Sequence, residues 1–315
     1  MHRTRRTDAS MEPAELAILK TVLYSDLFSY PLRFDELRRG LFDVEIDADE
    51  LRRVLDRPYA LADALGEREG FVFLAGRDHL VDERRAGERN ARSLRRRYAR
   101  VLGLIARLPF VRLVAISGAV AFDNAHDDDV DVFVVAASDR VWSACMCVTV
   151  LTRLLGARRA ICANYFLDEH SLAIADRDLY TAHQLVHLEP FAGAEMFRAL
   201  VTANSWAAEL LPGAFTHAID RHARPLHAGM LRRAVEWLAG AALEPLSRRV
   251  LGANLKKKVP TDVDAESVRL GPDRLKLHIN DHRADTLARF ERALAACVAR
   301  CEEQATGLSR RARVS

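Results

Sequence analysis

A chain of 315 residues with 50% hydrophobic content can bury a sizeable core and is expected to hold two or three domains. Its formal net charge of +3, with no like-charged tail, favours neither nucleic acid nor a membrane surface. Five cysteines, an odd number without framework spacing, argue against a disulfide scaffold and for a reducing cytoplasm. Cys145/Cys147 and Cys297/Cys301 could each pair as ligands, but no matching cluster completes a zinc site, so packing is expected of them. The basic opening MHRTRRTDAS is followed by no apolar signal core, and no run of about eighteen apolar residues could span a bilayer. Neither a secretory signal nor a membrane span is expected.

Residues 1–11 are expected to form a disordered tail, and 12–76 a small module. Within it, Leu16, Leu19, Val22, Leu23 and Leu27 recur at helical spacing, and Tyr30-Pro31 ends that helix. Phe34–Leu41 and Ala48–Leu55 read as two further short helices. Glu69–Leu74, with Phe71 and Phe73 alternating around Val72, reads as a wing hairpin. Three helices and a hairpin predict a winged-helix-like module. DNA binding is the sharper reading, but Asp47, Asp49, Glu50 and Asp56 oppose a phosphate backbone and Arg52, Arg53 and Arg57 only partly offset them. DNA is therefore disfavoured as a partner, and a protein-contact or spacer role is preferred.

Residues 77–107 form an arginine-rich linker helix, with Leu94, Tyr98, Val101, Leu102 and Ile105 as its apolar stripe. Arg84, Arg85, Arg89, Arg92, Arg95, Arg96, Arg97 and Arg100 surround that stripe. They read either as a solvated face, with Glu83 and Glu88 as local partners, or as an anion-facing surface. The solvated face is preferred, because arginines on all sides of a helix cannot converge on one ligand.

The informative stretch is Leu113–Val135. Val111–Ile116 suits a buried strand, Ser117-Gly118 breaks it, and Ala119–Ala125 suits a short helical turn. Asp127-Asp128-Asp129 reads as a turn, and Val130–Val135 as a second apolar strand with Asp131 lodged inside it. A carboxylate in a strand costs several kcal/mol unless a cation or hydrogen bonds compensate it. Asp129 and Asp131, two apart, share a face and offer the hard oxygens that Mg²⁺ accepts. Gly118 lets backbone approach a phosphate closely. Such a phosphate cradle beside metal-binding carboxylates is equipment for phosphoryl or nucleotidyl transfer. The plainer alternative makes the acids a solvated turn and Asp131 a capped edge residue.

Gly118-Ala119, a spacer and Asp129-Val130-Asp131 together resemble the signature of the nucleotidyltransferase superfamily with the DNA polymerase β-type palm. Ala119 departs from it, since a serine hydroxyl usually helps to hold the triphosphate there. Cys162-Ala163-Asn164-Tyr165-Phe166-Leu167 and Ala203-Asn204-Ser205-Trp206 extend the resemblance to bacterial nucleotidyltransferase-domain proteins that bring no known substrate. The resemblance implies an α+β fold: a palm over 108–177, with a short mixed sheet and flanking helices, and a helical region over 178–315. It also implies Mg²⁺, or Mn²⁺, at Asp129 and Asp131, and an NTP held at Ser117, Gly118 and Ala119. NMP would pass to an unidentified acceptor with release of pyrophosphate. A non-catalytic nucleotide sensor or adaptor of the same fold is the alternative, and a DNA-binding regulator a third, disfavoured reading.

Arg140–Leu155 then suits a helix and Arg159–Leu167 a third strand, a position from which a palm usually supplies a third carboxylate. Asp168, at that strand's end, is the choice for base or second metal ligand, against a plain role as a turn residue before His170. Asn164 and Asp178 are the reserves. Beyond Asp178, helices are expected at Tyr180–Leu188, Gly193–Asn204, Trp206–Leu211, Met230–Leu251 and Ala284–Gln304. Ala234–Leu246 is apolar enough for membrane association or a buried core helix, and the core is preferred because the run is short and lacks a basic-edged polar face. Lys256-Lys257-Lys258 is expected in a solvated loop. Leu275–Ile279 suits a short strand, with His278 and His282 as surface groups.

Overall fold

A computed structural model describes residues 11–56, 61, 64–226, 229–256, 268–277 and 282–314. Residues 1–10 of the tail expected over 1–11, together with Arg57, Lys257, Lys258 and His278, lie outside the described residues, as does the end of the strand expected at Leu275–Ile279. The chain is α+β and divides into two compact units. One comprises Met1–Arg84, Ala208–Ala214 and Arg283–Ser315; the other comprises Arg85–Ala207 and Phe215–His282.

The chain opens with α1 (Pro13–Asp26), β1 (Leu32–Arg33), α2 (Phe34–Arg39), α3 (Ala48–Leu55), β2 (Leu65–Arg68) and β3 (Phe71–Leu74). Glu12 and Glu15 form a capping box at α1, and Asp47 caps α3 by accepting from the Glu50 N–H at 2.7 Å. One of the acids that argued against DNA thus has a local structural task. The hairpin extends further back than its sequence pattern indicates, because Leu65–Arg68 forms its first strand. Glu69 and Gly70, with φ of 55° and 76°, make the two-residue reversal that matches strand twist. β1 adds to β3, giving an antiparallel sheet in the order β1-β3-β2.

Helix α4 (Leu80–Ile105) carries Ala91, Leu94, Leu102 and Ile105 into the core of the second unit, with Tyr98 and Val101 packed beside them. β4 (Val111–Ser117), the helical turn α5 (Gly118–Ala121), β5 (Val130–Ala136), α6 (Val141–Leu154) and β6 (Ile161–Asp168) follow. After them come α7 (Leu179–His187), β7 (Glu189–Ala192), α8 (Ala194–Ala203), α9 (Ala207–Leu210) and α10 (Pro212–Ile219). The chain then runs through α11 (Met230–Lys256), β8 (Val268–Leu270), β9 (Arg274–Leu277) and α12 (Arg283–Val314).

Among the described residues the larger sheet has six strands in the order β7-β4-β5-β6-β9-β8. It is mixed. β5 and β6 are parallel, joined through α6, while the other neighbouring strands pair antiparallel. β5 reads as a nearly unbroken apolar run because it is central and covered on both faces; Asp131 is its one carboxylate. Val114, Ile116, Val130, Val132, Val134 and Phe166 line the face that packs with α4 and α6.

Three expectations need correction. The apolar run Ala234–Leu246 is not a buried core helix, since Trp237 and Leu238 of α11 are 83% and 72% exposed. Lys256 ends that helix rather than sitting in a loop. The helix α12 groups with the N-terminal segment, where Phe290 packs edge-on against Tyr24 and Phe42 with ring centroids 5.4 and 6.0 Å away. No helix among the described residues is long and apolar enough to cross a membrane.

Candidate functional site

The site is built where β4 ends and β5 begins. In the antiparallel register Ser117 lies opposite Asp131. Ser117 is still extended; Gly118 then turns the chain with φ of 63°, a conformation costly for a side-chain-bearing residue. A Cβ on Gly118 would lie 2.5 Å from the Asp131 Oδ2, so the carboxylate occupies the space that glycine leaves free. The backbone turn and the acid therefore specify each other.

Helix α4 holds the segment between the two strands. Asn90 donates to the carbonyls of Ala125 and Asp127, the latter at 2.8 Å. Arg95 binds the carbonyl of Val120 and the carboxylates of Asp123 and Glu189. Gly87 allows this approach, because a Cβ there would sit 3.0 Å from the Asn124 Oδ1. Arg95 is thus neither a solvated charge nor an anion receptor: it is a clamp on the loop that presents the acids.

Asp129 and Asp131 meet β6 at its first residues. Because β6 is parallel to β5, Cys162 stands beside Asp131. The Cys162 thiol donates to the Asp129 Oδ2 at 3.2 Å, and the Asn164 side-chain amide donates to the Asp131 Oδ1 at 2.6 Å. A bulge at Asn164, between the pairs Val132–Ala163 and Phe133–Tyr165, lets Asn164 reach Asp131 while Tyr165 stacks on Phe133. One ligand atom from each of Asp129, Asp131 and Cys162 falls within 4.8 Å of the other two.

Burial, followed by the charges of Asp129 and Asp127, pushes the Asp131 carboxyl up to about 6, against the opposing bond from Asn164. Burial and the neighbouring Asp129 also raise Asp127. Burial, together with the Asp129 hydrogen bond, pushes the Cys162 thiol up to about 12, which keeps it a neutral donor. Crowded carboxylates of this kind are relieved by a cation. Asp129 and Asp131 offer hard carboxylate oxygens that could hold a divalent cation, while Cys162, as a neutral thiol, serves as a hydrogen-bond donor to Asp129.

Asp168 is not brought to this site. It pairs with Ala136 at the other end of β5, five residues beyond Asp131 and roughly 16 Å along the strand. Its carboxylate is buried and accepts from the backbone N–H groups of Asp139 and His170, at 2.6 and 2.8 Å. The expectation that Asp168 is base or second ligand is corrected on strand direction alone, for in a parallel pair the start of β5 meets the start of β6. Asp178 caps α7 through the Thr181 N–H at 2.8 Å. Of the reserves, Asn164 reaches the pair. Ser117, Gly118 and Ala119 lie at the β4–α5 junction beside Asp131. Asp127 and Cys162 were missed. The two-residue spacing of Asp127, Asp129 and Asp131 signals the first, while the second depends on strand register.

No protein-family model, curated protein or solved structure matches the chain.

Proposed function

We propose that this protein binds a nucleoside triphosphate through a divalent cation held by Asp129 and Asp131, and transfers its NMP to an acceptor. The observation that carries the reading is the fit of the Asp131 carboxylate into the space over Gly118, with Asp129 beside it. The turn at Ser117–Ala119 and carboxylates able to hold a metal converge there. A bound cation would neutralise triphosphate charge and orient the α-phosphorus. A hydroxyl acceptor would give its proton to solvent as its oxygen attacks that phosphorus, the bond to the bridging oxygen would break, and pyrophosphate would leave with the electron pair. Asp129 and Asp131 position the triphosphate, Asn164 fixes the Asp131 rotamer, and Arg95 holds the loop in place. On this reading the segment over 12–76, with three helices and a three-stranded sheet, is a winged-helix-like protein-contact module, and the free thiols suit a cytoplasmic setting.

A second reading, a nucleotide sensor without turnover, is favoured by one specific observation: Cys162 and Asn164 stand where a third carboxylate would be needed. Ala119, which has no hydroxyl, points the same way.

Calorimetry with the Mg²⁺ and Mn²⁺ complexes of ATP, GTP, CTP and UTP tests the binding step. Asp129→Asn with Asp131→Asn is expected to abolish metal-dependent affinity while leaving the circular dichroism spectrum unchanged. Equal affinity in wild type and the double variant would sink the reading. Labelled pyrophosphate release in cell extract then separates transferase from sensor.

A further inference from the structure

The outer side of α11 has the wrong chemistry for a helix facing water. Met230, Trp237, Leu238, Leu246 and Val250 are 89%, 83%, 72%, 56% and 44% exposed, and Ala242 and Pro245 lie exposed between them. Scattered exposed apolar residues are ordinary, but a run of them along one helix marks an interaction surface. The charges of the helix are sorted as well. Both of its acids point inward. Glu236 accepts from the Phe110 N–H, Arg112 and Arg232, and Glu244 accepts from the Trp142 and Ser143 N–H groups and the Ser143 hydroxyl. Arg233, Arg248 and Arg249 are exposed, and none of the three pairs with an acid among the described residues. At about 100° per residue Met230, Trp237, Leu238, Ala242, Pro245, Arg248 and Arg249 fall within about 140° of the helix, Arg233 and Leu246 flank that arc on opposite sides, and Val250 lies beyond it. The arc is an apolar band with uncompensated positive charge at its C-terminal end and on one flank, about 28 Å long from Met230 to Arg249 at 1.5 Å per residue.

We infer that this face of α11 lies on an anionic lipid surface, parallel to the membrane plane. Trp237 and Leu238 would enter the boundary between headgroups and acyl chains, and Arg233, Arg248 and Arg249 would meet lipid phosphates and carboxylates. A tryptophan between arginines is suited to that boundary, where one part of a side chain stays dry and another wet. A second copy of the chain fits less well. Two such helices packed about a twofold axis in antiparallel fashion would set Arg233 of one against Arg248 and Arg249 of the other, with no acid on either face to pair with them. An anionic surface supplies the missing charge in every register.

The full chain, sedimented with vesicles of phosphatidylcholine alone or with about a third phosphatidylserine, tests the inference. Binding is expected with the anionic vesicles, weakening as salt rises, together with a blue shift of tryptophan emission. Trp237→Ser with Leu238→Ser should lower the partition coefficient about tenfold or more. Arg248→Ala with Arg249→Ala should lower it about twenty-fold. These positions are exposed, so both variants should keep the wild-type melting temperature. The inference is overturned if neither vesicle is bound, if neutral vesicles bind equally well, or if the Trp237/Leu238 variant binds like wild type. A dimer seen by analytical ultracentrifugation and abolished by that same variant would give the face to a second copy instead.

Discussion

Asp131 combines two conflicting demands, because the carboxylate that would hold a cation sits half-buried beside two other acids. Burial, and then Asp129 and Asp127, raise it from its ordinary 3.8 to about 6. The folded state thus holds the proton more tightly than the unfolded chain. That contribution favours folding in full below about pH 4 and is lost as pH rises through 6. At neutral pH the metal-free protein bears a penalty of up to about 3 kcal/mol, which solvent screening at a half-buried group reduces to about 1–2 kcal/mol. Asp131→Asn keeps an acceptor for Asn164 and removes the charge. It should stabilise the metal-free protein by about 1–2 kcal/mol at pH 7.5 and by almost nothing at pH 4. Denaturant midpoints of both proteins at the two pH values check this, and a pH-independent difference would refute it. Added Mn²⁺ should raise the midpoint of wild type only.

Strand β6 is used at both ends for different purposes. Its first residues, Cys162 and Asn164, serve the acid pair, while its last, Asp168, ties down the turn after β5 and its own exit. Asp168→Ala removes the buried, charged acceptor of two backbone N–H groups and should cost about 2–4 kcal/mol. Nucleotide affinity should stay within twofold of wild type wherever the variant is folded. Thermal melts with calorimetry below the transition check both parts, and a tenfold loss of affinity without loss of stability would return Asp168 to the site. Helix α4 shows the same division of labour. Its apolar stripe packs, Asn90 and Arg95 clamp the acid-bearing loop, and the exposed Arg92 and Arg96 bond carbonyls of their own helix.

At the scale of the whole molecule, the chain is not a string of domains in sequence order. The unit that begins the chain also takes in Ala208–Ala214 and α12. Phe290, 8% exposed, packs its ring against Tyr24 and Phe42 of that unit. Phe290→Ala should cost the first unit about 3–4 kcal/mol through lost burial and the cavity left behind. Hydrogen exchange is the suitable readout, because it resolves units that open separately. Protection should fall in α1 and persist in β4, β5 and β6. Unchanged protection in α1 would mean that the helix is not part of that core.

Local pattern carried much of this protein. The helical spacing of Leu94, Leu102 and Ile105, the apolar run Val130–Val135 and the anomaly of Asp131 within it are all visible in sequence. They reflect periodicity and the cost of burying a charge, which neighbouring residues suffice to express. Gly118 belongs with them, since a glycine that breaks an apolar run already signals an unusual backbone. Partners distant in the chain were decided by tertiary structure alone. The parallel pairing of β5 with β6 put Cys162 and Asn164 beside the acids and carried Asp168 away. The packing of α11 decided which side of an apolar helix is covered, and left Trp237 exposed where composition indicated a core. Hydrophobicity states that a surface should be buried; only the assembled neighbours determine which surface is.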